Sequence, residues 1–347
     1  MKHTPWAHSI FCAATFLLSL LGVSAATAND PSLQTSIFSP ESAPADSIKH
    51  LSFLVLGISG AIFAIVTGMI FYATVRFRQR PDDDGKEPPQ IYGSNPVEAA
   101  WTIVPILIVV VLALSAARVI QQIQNASKPE SALDVVVTGH QWWWEFSYPK
   151  LGIVTANELH VPVSDPQKRL PTFLQLRSAD VAHSFWVPRL AGKTDVIPNR
   201  HNQMWIEPLR TGVFVGQCAE YCGTQHAKML LRVYAHTPED FERWVSEQKA
   251  LQAKDPQVAA GRMVFQRTAC INCHTLDNTI ADGRFGPSLS HLMSRETLGA
   301  GALSNSPANL RAWIKNPAQF KPGVRMPAMN LSESDLDQLV AYLTTLK

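Results

Sequence analysis

The chain has no internal repeat and no basic stripe, and its 30 basic and 28 acidic residues leave a net charge of only +2. Without a basic face there is no electrostatic footprint for nucleic acid. Charge is missing altogether from two stretches, between His50 and Arg76 and between Glu98 and Arg118. Helices of globular domains seldom stay uncharged that long, and each stretch is about the ~20 residues a helix needs to cross a bilayer. A hydrophobic content of 46% makes the chain too apolar to be disordered, and 347 residues are too many for one ordinary domain. Cysteine is scarce, with five in all.

What is present falls into blocks. Lys2, an apolar run from Ile10 to Val23 and the small residues Ala26-Thr27-Ala28 read as a secretory signal peptide over 1–28, with an uncleaved anchor helix as the alternative. Residues 29–47 are Pro- and Ser-rich and read as an irregular extracytoplasmic segment. Residues 48–122 read as a transmembrane helix hairpin, with Pro105 tolerated inside its second helix. Its loop carries Arg76, Arg78, Arg80 and Lys86, which by the positive-inside rule places the loop in the cytoplasm and all that follows outside it.

Beyond a polar connector, β-rich runs at Leu133–Thr138, Trp142–Tyr148, Thr172–Leu176, Met204–Glu207 and Val213–Gln217 are punctuated by Pro, Gly and Asn. They predict an all-β sandwich over 130–236. Thr237 with Asp240 predicts a helix start, and the helix is expected to run on through a linker to Asp255 (237–255). From Pro256 to the end (256–347) the pattern is helical, closing on an amphipathic helix capped by Ser332 and Asp335, with Leu336, Leu339, Val340 and Leu343 on one face.

Cys12 would leave with the signal peptide, so the two pairs Cys218/Cys222 and Cys270/Cys273 carry the chemistry. Outside the cytoplasm either pair could be a disulfide. Cys270-Ile271-Asn272-Cys273-His274 is instead a C-x-x-C-H motif: two thiols on one turn can add to the haem vinyl groups while His274 presents its imidazole to the iron. Gly261 and Phe265 on a short preceding helix, with the closing helix, look like a class I cytochrome c. The sixth ligand is a methionine or histidine. Met326, in Lys321-Pro322-Gly323-Val324-Arg325-Met326-Pro327, matches the distal methionine loop of that family, with Met329 and Met293 as rivals.

Cys218, Cys222, His226 and Met229 fall within twelve residues and offer thiolate, imidazole and thioether, the ligands of copper electron-transfer sites. A mononuclear blue-copper site needs one cysteine, whereas two cysteines four apart can both bridge two copper ions. Methionine is a poor zinc ligand, which disfavours zinc. A second histidine must come from elsewhere, and His183 is the candidate.

This arrangement resembles the CuA cupredoxin domain of cytochrome c oxidase subunit II, over hairpin and β domain, and the cytochrome extension marks the caa3-type variant. The resemblance implies that Cys218 and Cys222 bridge both coppers, that His183 and Met229 complete one, and that His226 and the Glu220 carbonyl complete the other. It places the electron-accepting aromatic at Trp142, with core packing as the alternative. It gives the Glu220 carboxylate a share in a magnesium site at subunit I, against a plain solvated carboxylate. It puts Glu98 at the mouth of a proton pathway, against simple helix capping. His140, His160, His201, His236 and His291 lack ligand partners at useful spacing and read as ordinary surface or packed residues.

The expected protein is a two-pass subunit of a bacterial inner-membrane oxidase. Both redox domains and both termini lie on the periplasmic side, and the partners are subunit I and subunit III. Electrons would pass from cytochrome c or a quinol–cytochrome c reductase through covalent haem c to the binuclear copper, and on to subunit I for proton-pumping oxygen reduction. The transmembrane part has no histidine cluster to bind haem and copper, so oxygen reduction is not expected in this chain. Alternatives are a CuA-bearing subunit of a nitric oxide reductase and a membrane-anchored copper-delivery protein.

Overall fold

The computed structural model describes residues 35–79, 85, 87, 89–165, 170–250 and 255–347. The signal-peptide reading, with Cys12, lies outside these residues, as do Arg80, Lys86 and residues 251–254 of the linker.

Two long helices come first, α1 (Ala43–Arg76) and α2 (Asn95–Gln124). Their middles expose Phe63 at 72%, Phe71 at 70% and Leu114 at 68%, and so much apolar surface in water would be untenable for a soluble helix pair. The helix starts at Ala43, five residues earlier than the irregular segment 29–47 allowed. Pro44 occupies its first turn, where a missing N–H leaves no hydrogen bond unmade. Ser42 and Glu41 then pin this end to the β domain. The Glu207 N–H donates to Ser42 Oγ at 2.9 Å, and the Glu41 carboxylate pairs with Arg189 at 2.8 Å and with Arg210. At the other end Trp205 Nε1 donates to the Ile123 carbonyl at 2.6 Å. The membrane helices are thus tied to the β domain on both sides of the hairpin.

The β domain is a sandwich of two five-stranded sheets. One has the order β3 (Ile153–Ala156), β2 (Trp143–Tyr148), β1 (Asp134–His140), β5 (Thr172–Ser178), β8 (Asn202–Ile206). The other runs β4 (Glu158–Pro162), β10 (Leu230–His236), β9 (Gly212–Cys218), β6 (His183–Trp186), β7 (Thr194–Val196). Pairs β1–β5 and β10–β4 are parallel, and the other pairs are antiparallel. Strict alternation drives the assembly: Val135 and Val137 of β1, and Leu231, Val233 and Ala235 of β10, point inward while their neighbours stay partly exposed. They meet Trp144, Phe146, Tyr148 and Phe185, all fully buried.

Five of these strands match the β-rich runs of the sequence; β3, β4, β6, β7 and β10 do not. β4 hides because Glu158, a charged residue, is buried in it, and β7 is only three residues long.

α3 (Pro238–Lys249) starts at Thr237, whose hydroxyl accepts from the Asp240 N–H, and packs Phe241, Trp244 and Val245 on the sandwich. It stops at Lys249 rather than continuing to Asp255, because Ala250 takes an extended backbone.

The C-terminal domain is helical with long connections rather than helical throughout. It has α4 (Ala259–Arg267), the one-turn α5 (Cys270–Cys273), α6 (Pro307–Lys315), α7 (Glu333–Leu343) and a small ladder of β11 (Thr297–Leu298) with β12 (Leu303–Ser304). α4 crosses α7 at Gly261, where a Cβ would stand 1.9 Å from the Gln338 carbonyl oxygen; only glycine lets the two backbones approach so closely.

Candidate metal and haem centres

Strand register builds the copper cluster. β9 ends in Cys218 and β10 begins at Leu230, so the loop between them leaves and re-enters adjacent strands, closed by the Cys218 N–H on the Met229 carbonyl at 3.0 Å. β6 lies on the other side of β9, pairing Phe185 with Cys218, which brings His183 alongside. The two thiols, both free, face each other at 3.8 Å. His183 Nδ1 lies 3.9 Å from Cys218 Sγ, His226 Nδ1 lies 3.7 Å from Cys222 Sγ, Met229 Sδ lies 3.9 Å from Cys222 Sγ, and the Glu220 carbonyl lies 3.2 Å from Cys218 Sγ. All six donors named in the sequence converge, and His183, Cys218, Cys222 and Met229 are buried.

Such a set of soft sulfur and imidazole donors fits copper. Each imidazole turns Nδ1 toward a thiol. On His183 that orientation is fixed behind the ring, where Nε2 meets Asp180 Oδ1 at 2.8 Å. Asp180 also accepts from the N–H groups of Val181 and Gln141, both at 2.7 Å, and these bonds with that of His183 outweigh burial to hold its carboxyl below the usual range. Burial opposes charge on His183, but the Asp180 and Cys218 hydrogen bonds outweigh it and raise its pKa. Beneath the ring, a Cβ on Gly139 would lie 2.9 Å from His183 Cδ2, so β1 must carry glycine there. Between the thiols, the Cys222 hydrogen bond, opposed by burial and helped by His183, holds the Cys218 thiol well below its usual range. The same contact and burial push Cys222 up, so a metal must displace its proton.

At the haem motif, Cys270 and Cys273 sit on the single turn α5, with the His274 N–H returning to the Cys270 carbonyl at 2.9 Å. His274 Nδ1 donates to the Pro287 carbonyl at 2.7 Å, which leaves Nε2 for iron. Burial lowers the His274 pKa, against the opposing Pro287 bond, and favours the neutral ligand form. Segment 283–287 lies directly on the motif: a Cβ on Gly283 would stand 2.5 Å from the Asn272 backbone, and one on Gly286 2.5 Å from His274 Cε1. These residues fit a covalently held haem. Met326 packs against the core of this domain, as does Met293, whose N–H is tied to the Leu346 carbonyl at 2.7 Å.

The remaining site residues are spread out. Trp142 is half-buried beside the copper cluster, its indole N–H on the Cys222 carbonyl at 3.0 Å. Glu220 is exposed, and among the described residues the one close cluster of His, Cys, Asp or Glu ligands is His183–Cys218–Cys222, which excludes its carboxylate. Glu98 lies in the first turn of α2, where its carboxylate accepts from the Ser94 N–H at 3.2 Å, a capping contact. His160 and His236 are packed residues, stacked 5.1 Å apart and joined at 2.8 Å.

Residues the sequence did not mark join the two domains. Lys321, 2% exposed, donates to the carbonyls of Lys228 at 2.9 Å, Gly299 at 3.0 Å and Trp142 at 3.1 Å. Arg325 donates to the Gln141 side chain, whose Nε2 donates to the Cys222 carbonyl at 2.7 Å. Glu158 accepts from the N–H groups of Glu296 at 2.8 Å and Thr297 at 3.1 Å. None had a signal beyond lying near a motif.

Three family profiles cover most of the chain: cytochrome c oxidase subunit II, transmembrane domain, over 32–119; cytochrome c oxidase subunit II, periplasmic domain, over 156–235; and cytochrome c over 258–347. Cytochrome c oxidase subunit 2 of Alkalihalophilus pseudofirmus is 34% identical over 96% of this chain and 94% of its own length. That of Bacillus sp. strain PS3 is 33% identical over 78% and 80%. Among solved structures, the periplasmic domain of subunit II of cytochrome oxidase of Bradyrhizobium japonicum is 32% identical and covers 35% of this chain and 97% of its own, with a TM-score of 0.33. The chain belongs to the cytochrome c oxidase subunit II family, as a two-pass membrane protein with a cytochrome c domain fused behind its copper domain.

Proposed function

We propose that the chain is the electron relay of its oxidase, taking electrons on a covalent haem c and handing them through a binuclear copper site to subunit I. The convergence of two thiols, two imidazoles, a thioether and a carbonyl in one buried cluster carries this reading. Cys218 and Cys222, with His183, Met229, His226 and the Glu220 carbonyl, would hold the two coppers: the thiols would be shared between them, His183 with Met229 would complete one and His226 with the Glu220 carbonyl the other. The pair supplies a single electron shared over two bridged metals, which reduces rearrangement as charge comes and goes. The chain's contribution is rigidity: β6 and β9 carry His183 and Cys218, the loop between β9 and β10 carries the other donors, and Asp180 fixes His183.

Cys270 and Cys273 would anchor the haem, His274, its Nδ1 proton held by Pro287, would ligate iron, and Met326 would supply the second axial donor. Thioether ligation raises the potential and suits a carrier near the oxidising end of a chain. The donor is cytochrome c or a quinol–cytochrome c reductase. Subunit I reduces oxygen and pumps protons, Glu98 guards a proton pathway into it, and Glu220 shares a magnesium ion with it. The hairpin loop faces the cytoplasm, and the copper and haem domains lie outside. Ligands as deeply buried as His183 and Met229 suit a fixed site rather than the exchangeable one of a copper-delivery protein.

Metal analysis and EPR on the full chain, purified in detergent after haem and copper maturation, test this. Two coppers and one iron per chain with a seven-line mixed-valence copper signal are expected. Iron without copper, or an ordinary mononuclear signal, would refute the bridged pair.

A further inference from the structure

The contact between the haem and copper domains is built around one buried cation. The Lys321 ammonium has three protons, and each finds a carbonyl: Lys228, Gly299 and Trp142. Those acceptors belong to different segments. Lys228 directly precedes Met229, Trp142 follows β1 on the copper domain, and Gly299 lies in the β11–β12 turn of the haem domain. A buried charge satisfied only by carbonyls is costly unless the bonds it makes matter, and burial here holds the Lys321 pKa down to about 8. Lys228 answers in the other direction, donating to the Phe320 carbonyl at 2.8 Å, and Gln225 donates to the Pro322 carbonyl. The segment from Phe320 to Met326 is thereby strapped along the copper loop.

The strap leads somewhere. Arg325, covalently next to Met326, reaches Gln141; Gln141 reaches the carbonyl of Cys222; and Cys222 is a candidate bridging ligand. Two hydrogen bonds therefore connect the candidate distal haem ligand segment to a copper ligand. Trp142 contributes a second bond to the same carbonyl while its own carbonyl is held by Lys321.

Resting on the relay reading above, we propose that Lys321 and Arg325 are positioning residues that press the Met326 loop onto the copper loop, and that Arg325–Gln141–Cys222 is the path by which the electron crosses between the two centres. One electron leaves reduced haem iron, which becomes ferric, and arrives at the mixed-valence copper pair, which becomes dicuprous; no bond is made or broken and no proton moves. It follows that the haem domain of this same chain covers the Trp142 side of the copper site, so external donors exchange electrons with the haem alone.

The test uses the assembled oxidase carrying Lys321→Met, Arg325→Met or Arg325→Lys. Haem absorbance and copper EPR establish loading, photoreduction of the haem times the single-turnover transfer to copper, and hydrogen exchange follows amides 299–301 and 320–326. Wild type lacking either signal would sink the relay reading itself, separately from this proposal. With both signals intact, Arg325→Met is expected to slow transfer about tenfold or more, a loss typical of a small misplacement, and Arg325→Lys, which keeps a donor for Gln141, to recover part of it. Lys321→Met is expected to slow transfer further and to speed exchange over 320–326. Arg325 is exposed, so Arg325→Met decides the matter even if Lys321→Met fails to assemble. Unchanged transfer in Arg325→Met would overturn the proposal, as would a slowed rate accompanied by an altered copper EPR signal, because the effect would then run through the ligands.

Discussion

The two redox domains each build their candidate site on one short segment but support it differently. In the copper domain five of the six candidate donors share the loop from Cys218 to Met229, which leaves β9 and re-enters at β10, and the sixth, His183 on β6, is brought beside them by strand register. A large aromatic core lies behind them. In the haem domain three candidate site residues fall within five positions, Cys270 and Cys273 on a single helical turn and His274 just after it, and what shapes the site is loop: Gly283 and Gly286 laid on the motif and a carbonyl from Pro287. Its core is much smaller and its helices short. A sandwich can preform a metal site, whereas a small helical domain of this kind has less core of its own behind its motif.

The largest effect is expected from Cys222→Ser, which removes a bridging thiol: the binuclear EPR signal should vanish while the haem spectrum persists, and loss of both together would mean the domains are not independent cofactor sites. Next, Gly261→Leu forces a side chain into the Gln338 backbone, where even a Cβ would stand at 1.9 Å. It should cost at least about 3 kcal/mol, read as lost hydrogen-exchange protection in α4 and α7 with the sandwich unaffected.

Gly139→Val should be milder, about 1–3 kcal/mol of overpacking. Its specific mark is a changed copper EPR spectrum, because the new side chain meets His183; an unchanged spectrum would show the ring free to move.

The smallest effect concerns Glu158, whose pKa burial raises from 4.5 to about 7 against the pull of Arg295. A raised carboxyl pKa means the native form binds the extra proton. Its contribution to the domain contact is therefore full below about 4.5 and lost as pH rises through about 7. Glu158→Gln should flatten that part of a stability-versus-pH curve measured by chemical denaturation, and a slope that survives would assign it to another group.

Much of this was legible in the sequence because the chemistry is compact. The C-x-x-C-H motif and the twelve residues from Cys218 to Met229 carry their own spacing, and uncharged stretches of membrane length read directly. Half of the sandwich strands were not legible, because a strand such as β4 buries a glutamate whose partners, the N–H groups of Glu296 and Thr297, lie far along the chain. Gly139, Lys321 and Arg325 stayed silent for the same reason. Each acts on a residue brought near only by folding, and a lysine that satisfies three carbonyls looks in sequence like any surface lysine. The start of α1 was misjudged because Pro44 reads as a helix breaker unless its place in the first turn is known.

The order of electron arrival tests the relay most directly. The loaded full chain would be mixed rapidly, without oxygen, with a reduced cytochrome c, while haem absorbance and the near-infrared copper band are followed together. The haem should reduce first and the copper second, and His274→Ala should abolish copper reduction by that donor. Copper reduced ahead of haem, or at an undiminished rate in His274→Ala, would contradict the account.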